Sequence, residues 1–135
     1  MASGIYTAFK EDLMTGAVDL STNVLNIMLL SGGHSFTATN SLVSQVSGNE
    51  IVASAGYSAN GSVLSGCSVT SGSTTKFDAD DWLLKGCTFT ASHCVIYNVS
   101  GANALVCSFD FGGAESPSSG DFKIAWSGAG IITLS

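Results

Sequence analysis

The strongest constraint on the fold of this chain comes from short stretches in which every second side chain is of the same kind. A period of two is that of a β-strand, since successive side chains point to opposite faces. In residues 87–99, CTFTASHCVIYNV, the predicted shared face carries Phe89, Ala91, His93, Val95 and Tyr97. In the next stretch, Leu105, Cys107, Phe109 and Phe111 alternate with Ser108 and Asp110. Both stretches predict strands.

Other segments favour the same architecture. Val24–Leu30, VLNIMLL, is nearly all apolar, as expected of a strand buried on both faces. Asn60-Gly61 predicts a hairpin turn, because both residue types tolerate positive φ. Several short strands with Gly/Ser-rich turns predict a mainly β chain, an antiparallel β-sandwich or barrel-like domain. With 135 residues and no internal repeat or linker, we predict one domain over 1–135.

A short N-terminal helix is the one helical pattern. Ile5, Phe9 and Leu13 recur at helical spacing, Ser3 can cap the start, and Gly16 fits the end. The apolar face has two interpretations. It packs on the chain's own sheet, which we favour, or it contacts a neighbouring subunit.

Charge and hydropathy exclude several classes of partner. The net charge is −6, with four lysines and no arginine, so the basic footprint that nucleic acid or an anionic membrane surface requires is missing. No apolar run approaches the roughly 18 residues of a membrane span. Residues 1–13, MASGIYTAFKEDL, lack the pattern of a signal peptide, which predicts synthesis in a cytoplasm without Sec-type export.

The acidic stretch KFDADDWLLKG, residues 76–86, is the main candidate for chemistry. Asp78, Asp80 and Asp81 are weak candidate metal ligands, but the glycine and later glutamate of a calcium loop are missing. As catalytic carboxylates they would share similar solvated environments, whereas acid–base pairs need different ones. The doublet Asp80-Asp81 breaks the strand period, so we favour a solvated bend.

No other motif indicates catalysis, and we predict a non-enzymatic protein without a cofactor. Cys67, Cys87, Cys94 and Cys107 lack metal-ligand spacing and are predicted to be free thiols. His93 and Cys94 are adjacent, which weakly suggests a pair of metal ligands. We favour the interpretation that they are two successive strand residues whose side chains face opposite ways. A small hydrolase using His93 or the aspartates remains an alternative.

The two tryptophans have two interpretations. Trp82 and Trp126 are candidate interface anchors, since tryptophan dominates binding hot spots, but core filling is equally compatible with the sequence. The predicted interface set is therefore Ile5, Phe9, Leu13, Trp82 and Trp126. Trp82 beside the aspartates also allows a tail- or fibre-associated module that binds a host-surface ligand.

Several stretches together carry a family resemblance over almost the whole chain. They are IYTAFKEDLMTGAVDLSTNVLNIMLL, GYSANGSVL, KFDADD, CVIYN, ALVCSFDFGG and SSGDFKIAWSGAGIITL. In order and spacing the chain resembles small virion proteins of tailed bacteriophages, some of the capsid decoration (cement) type. It departs from them in a shorter segment after Asp81 and in its four cysteines.

The resemblance implies a capsid decoration protein that binds and stabilises the assembled head shell. Its partner would be the major capsid protein of the same phage, and the chain would act as a homo-oligomer, a dimer or trimer. The implied location is the capsid surface of the virion, after synthesis in the cytoplasm of the bacterial host. Such a protein needs no active site, because it adds stability by binding the assembled state.

Overall fold

A computed structural model describes residues 4–134 as mainly β, with antiparallel sheets and one short α-helix near the N-terminus. This confirms the predicted fold class. The strands are β1 Gly4–Ile5, β2 Leu25–Leu30, β3 Ser62–Val63, β4 Ser68–Thr70, β5 Thr75–Asp78, β6 Trp82–Thr88, β7 Ala91–Asn98, β8 Ala104–Glu115, β9 Ser118–Ile124 and β10 Ile132–Leu134. The helix α1 is Thr7–Thr15, and the 3₁₀ turns are Val43–Gln45, Ser47–Asn49 and Val99–Gly101.

The strands form a large sheet and two small ones. The large sheet has five strands in the order β1-β8-β7-β2-β3. The small sheets are three-stranded, β10-β5-β4, and two-stranded, β6-β9. One face of the large sheet packs against α1 and both small sheets around a cluster that we call the inner core, which gives a sandwich-like arrangement. Its large members include Phe9, Leu25, Ile27, Leu29, Phe77, Trp82, Phe89, Ile96, Val106, Phe122 and Ile132.

The opposite face of the large sheet carries a second cluster, which we call the outer core. Its members are Tyr6, Met28, Leu30, Val46, Val95, Tyr97 and Leu105, with Phe36 and Val43 packed against them. Phe36 and Val43 belong to the segment between β2 and the second 3₁₀ turn, so this segment lies over the sheet. Strand β2 therefore contributes to both cores, which explains its nearly continuous apolar sequence.

Two irregularities in the β7–β8 pairing change which residues share a face. The register shifts between Ala91 and His93 and again between Ile96 and Tyr97. Phe89 and Ala91 consequently join Cys94 and Ile96 in the inner core, while Val95 and Tyr97 lie in the outer core. The predicted single face from Phe89 to Tyr97 was wrong, because a bulge reverses the alternation.

Strand β8 changes faces in the same way. Leu105 pairs with Tyr97 and lies in the outer core, whereas Cys107 pairs with Ile96 and lies in the inner core. Val106 is the extra residue between them. From Cys107 onward the predicted alternation is correct, since Phe109 and Phe111 stay on the inner face.

The helix begins later than the sequence predicts. Ile5 belongs to β1, where it pairs with Cys107, and Tyr6 is the N-cap residue of α1. The predicted capping residue, Ser3, lies outside the described residues. Gly16 ends the helix with a φ of 78°, as predicted. Phe9 is buried in the inner core and Ile5 and Leu13 pack against it, so this apolar face lies on the chain's own sheet.

The turn at Asn60-Gly61 is present, but it does not close a hairpin. Both residues have positive φ, 70° and 83°. The strand that follows, β3, pairs with β2 rather than with a strand directly before the turn. At Gly61 the chain passes so close to Ile27 of β2 that a Cβ would overlap its backbone carbonyl.

Among the described helices, none has the length and apolar character needed to cross a bilayer.

Candidate functional site

The three aspartates of the acidic stretch do not converge. β5 ends at Asp78 and β6 begins at Trp82, so Asp80 and Asp81 lie where the chain leaves the three-stranded sheet for the two-stranded one. Asp78 Oδ1 accepts the Ala79 amide at 2.9 Å. The carboxylate of Asp80 lies against Gly66, where a Cβ would overlap it.

Asp81 joins this connection between β5 and β6 to the C-terminal part of the chain. Its Oδ1 accepts the backbone N–H of Trp126 at 2.9 Å, and Oδ2 lies 3.6 Å from the ammonium of Lys123. The Trp126 indole donates to the carbonyl of Asp80 at 3.2 Å. Both charged side chains of the ion pair are largely exposed, so its contribution to stability is small. The acidic doublet thus lies in an exposed connection between two strands, as predicted, but this connection is extended rather than bent.

Metal-ligand geometry is not assembled within residues 4–134. No group of three or more His, Cys, Asp or Glu side chains in this part of the chain lies close enough together to hold an ion. Each candidate carboxylate has a different local partner, as described above.

The predicted interface residues divide into two groups. Phe9 and Trp82 are buried in the inner core, where Trp82 packs edge-on against Phe122 with ring centroids 6.5 Å apart. Little of either side chain is left for a neighbouring subunit or for stacking on a sugar. Ile5, Leu13 and Trp126 are partly buried against the same core and keep some exposed surface. For these three, an interface role stays a prediction.

Two histidines that are distant in sequence meet on the outer face of the large sheet. The rings of His34 and His93 lie edge to face with centroids 5.0 Å apart. His34 Nε2 lies 3.1 Å from Ser108 Oγ. Cys94 points into the inner core, so His93 and Cys94 face opposite ways, as the strand interpretation predicts. The alternation in the sequence placed Ser108 and Asp110 on the face of their strand opposite to Cys107, and the cluster forms on that face. No local pattern predicted that His34 would join them.

This Ser–His pair is unsuited to hydrolysis as it stands. His34, His93 and Ser108 are all buried, and Ser108 is 1% exposed. A nucleophile must reach the substrate carbonyl within about 3–3.5 Å, and a buried hydroxyl cannot. The pKa of His34 is lowered, first because burial disfavours the imidazolium and then because His93 lies beside it.

The four cysteines are free thiols, as predicted. Cys87, Cys94 and Cys107 are buried, and burial raises the pKa of each thiol. Cys67 is half-buried, and its thiol pKa is raised by burial and by the nearby Asp80. All four are held as thiols rather than thiolates, which makes them poor nucleophiles and poor metal ligands.

The surface also carries an apolar groove of about 400 Å³. It lies between one face of the three-stranded sheet and the segment that runs from Leu13 to Leu20. Val69, Phe77, Ile132 and Leu134 form its apolar floor and rim. The register aligns Val69, Phe77 and Ile132 across the three strands, which places them on one face of the sheet.

Only part of this sheet face is covered. Phe77 and Ile132 are buried, whereas Val69 is 47% exposed and Leu134 is 59% exposed. Met14, next to the lining residue Leu13, is 90% exposed. Polar groups are few at the groove, and the charged lining residues are Asp19 and Lys76. We call this surface the groove face; its chemistry suits an apolar protein segment better than a charged small molecule.

Comparisons with protein-family models, with curated proteins and with solved structures find no match to this chain. The resemblance to phage virion proteins therefore stays a prediction.

Proposed function

We propose that the chain is a structural protein of a tailed-phage virion, of the capsid decoration type, which binds the assembled head shell and stabilises it. The observation that carries this proposal is the groove face, a concave apolar sheet surface that is left partly open. Exposed apolar patches on small domains commonly mark protein interaction sites.

The proposed partner is an apolar segment of the major capsid protein. Full burial of one apolar side chain gives about 1.5–3 kcal/mol, and Val69, Leu134 and Met14 all have exposed surface to lose. The groove face would form the centre of a larger contact, since specific interfaces bury at least about 1,000 Å² in total. Because binding occurs only on the assembled shell, it stabilises that state by mass action.

Homo-oligomerisation is part of the proposal. A decoration protein binds at many equivalent lattice positions, and symmetric dimers or trimers match local two-fold or three-fold axes. The low charged fraction of the chain, 10%, lets identical copies pack closely without strong repulsion. Sedimentation equilibrium on the purified chain would give the oligomeric state directly.

The deciding experiment is the copy number of the chain in purified particles of the phage that encodes it. Quantitative mass spectrometry, scaled to the major capsid subunit, should give near-stoichiometric copies. A few copies per particle would instead support a tail or vertex location, and absence from the particle would overturn the proposal.

A matched pair of variants tests the groove face itself. Val69→Glu puts a charge on the groove face, whereas Val63→Glu puts the same charge at a similarly exposed position in β3, outside the groove, with exposures of 47% and 56%. Burying an unpaired carboxylate is strongly unfavourable, so Val69→Glu should reduce binding to undecorated shells at least about ten-fold. Val63→Glu should bind like the unaltered chain. Equal binding by both variants would exclude the groove face as the contact surface.

A further inference from the structure

The outer face of the large sheet carries a buried polar cluster that the proposed function does not use. His34 comes from the segment after β2, His93 from β7, and Ser108 and Asp110 from β8. In the β7–β8 ladder, His93 pairs with Asp110 and Val95 with Ser108. Three separate parts of the chain therefore meet at the two imidazole rings.

Both imidazoles are enclosed. His34 is 3% exposed and His93 is 4% exposed. His34 shares a hydrogen bond with Ser108 Oγ, while His93 Nδ1 makes no hydrogen bond within the described residues.

The segment Ser31–Asn40 is held near this pair by contacts along its length, beginning with the Ser31 amide, which donates to the carbonyl of Asn49 at 2.8 Å. Phe36 packs on Tyr6 with ring centroids 4.9 Å apart, and the Thr7 amide donates to the carbonyl of Ala38 at 2.9 Å. Phe36 also fills the space above Gly4, where a Cβ would come within 2.6 Å of its ring. Apart from His34, the segment has no ionisable side chain, so His34 is its only group that responds to pH.

Other titratable groups near His34 do not cancel its response. Asp110, half-buried on β8, favours the imidazolium, but its influence is smaller than that of burial and of His93. Tyr6 faces Ser108 from the junction of β1 and α1, and burial raises its pKa to about 12, so it stays neutral. The 3₁₀ turns Val43–Gln45 and Ser47–Asn49, which lie on the same face, contain no charged residue.

We propose that the His34–His93 pair is an acid-sensitive latch, through which mild acid releases the segment Ser31–Asn40 from the outer face of the sheet. A proton on His34 places a positive charge in a buried site, beside the ring of His93. Opening exposes His34 to water, where its imidazole accepts a proton without the cost of burial. Protonation of His34 is thereby coupled to the equilibrium between the closed and open states of the segment Ser31–Asn40.

The direction of the pH dependence follows from linkage. The pKa of His34 in the closed state lies below its ordinary value of 6.5, which the open state recovers. Above about pH 6.5 the ring is neutral in both states, and the closed state has its full stability. As the pH falls below 6.5 the open state binds more protons, so stability decreases until the closed-state pKa is reached, by up to about ten-fold in the opening equilibrium per pH unit.

Hydrogen exchange of the unaltered chain, followed by NMR, tests the latch between pH 7.5 and 5.5. The chain has two histidines, and histidine is the side chain whose ordinary pKa lies within this window. After correction for intrinsic exchange, the protection of the Thr7 amide, which bonds to Ala38, should fall by up to about ten-fold across the window. The buried Leu29 amide, which donates to the Tyr57 hydroxyl, should keep its protection and serves as the internal control.

A variant identifies the group responsible. His34→Gln keeps a polar side chain that can bond Ser108 but cannot take up a proton, so Thr7 protection should become independent of pH in this window. The latch is excluded if the unaltered chain loses no Thr7 protection between pH 7.5 and 5.5 while the NMR shifts of His34 show that its ring becomes protonated. An undiminished pH dependence in a folded His34→Gln variant would overturn it equally.

Discussion

The large sheet and the three-stranded sheet use similar residues with very different covering. Strand β2 is nearly buried along its length, because α1 and the small sheets cover one face and the segment Ser31–Asn49 covers the other. The three-stranded sheet places Phe77 and Ile132 against the inner core but leaves Val69 and Leu134 beside open space. Aligned apolar residues occur in both sheets, so what differs is what lies over them.

This difference separates stability from contact. In β2 each apolar side chain has been removed from water on folding, so it contributes to stability. On the groove face part of the apolar surface stays in contact with water. The free energy of burying that surface becomes available only when a partner covers the sheet. The two sheets should therefore respond oppositely to the same substitution, one in unfolding and the other in binding.

Leucine-to-alanine changes give the largest expected contrast. Leu29→Ala, in β2, removes a side chain that is completely buried and should destabilise the chain by about 2–5 kcal/mol. Leu134→Ala, in β10, should change the free energy of unfolding by about 0.5 kcal/mol or less, because the side chain is mostly exposed. Urea denaturation measures both. Comparable losses from the two substitutions would mean that the groove face is already covered, for instance by a second copy.

Two glycines with similar backbone angles give a smaller contrast. Gly61, against β2, has a φ of 83°, and Gly16, on the groove lining, has a φ of 78°. Alanine at either position adds the strain of a left-handed conformation, about 1 kcal/mol. At Gly61 the new Cβ would also overlap the Ile27 carbonyl, whereas at Gly16 it meets open space.

Gly61→Ala should consequently cost clearly more than Gly16→Ala, and the excess measures how rigidly β2 is held. Thermal unfolding of both variants provides the comparison. A near-equal loss would show that the chain around Gly61 shifts easily, which contradicts a fully packed large sheet.

The strands of the large sheet could be predicted because their pattern is local. VLNIMLL and the alternation from Cys107 onward follow from the two faces of a strand. The reversals at Ser92 and Val106 could not be predicted, since a bulge is set by the partner strand and leaves no residue signature of its own. Ile5 was wrongly assigned to the helix because its strand pairing also depends on a partner, Cys107 of β8, that is distant in sequence.

The candidate sites were less predictable because both are non-local. His34 and His93 are separated by a long stretch of chain and meet only because the segment after β2 lies across β7 and β8. The groove face requires three strands to align. Nothing in the sequence shows that the segment beside this sheet lines the groove only from Leu13 to Leu20. The break between strands at Asp80-Asp81 was predictable, since the two aspartates interrupt a local period.

Thiol reactivity gives the smallest effect and compares the sheets without altering stability. Cys94 and Cys107 lie in the large sheet and are buried, whereas Cys67, just before β4, is half-buried. With a disulfide reagent at pH 8, Cys67 should react first, more slowly than an unhindered thiol because its pKa is raised. Cys87, Cys94 and Cys107 should react only as the chain opens. Cys67→Ser should remove the early phase alone; an early phase that survives this change would place a mobile opening within the large sheet or beside Cys87.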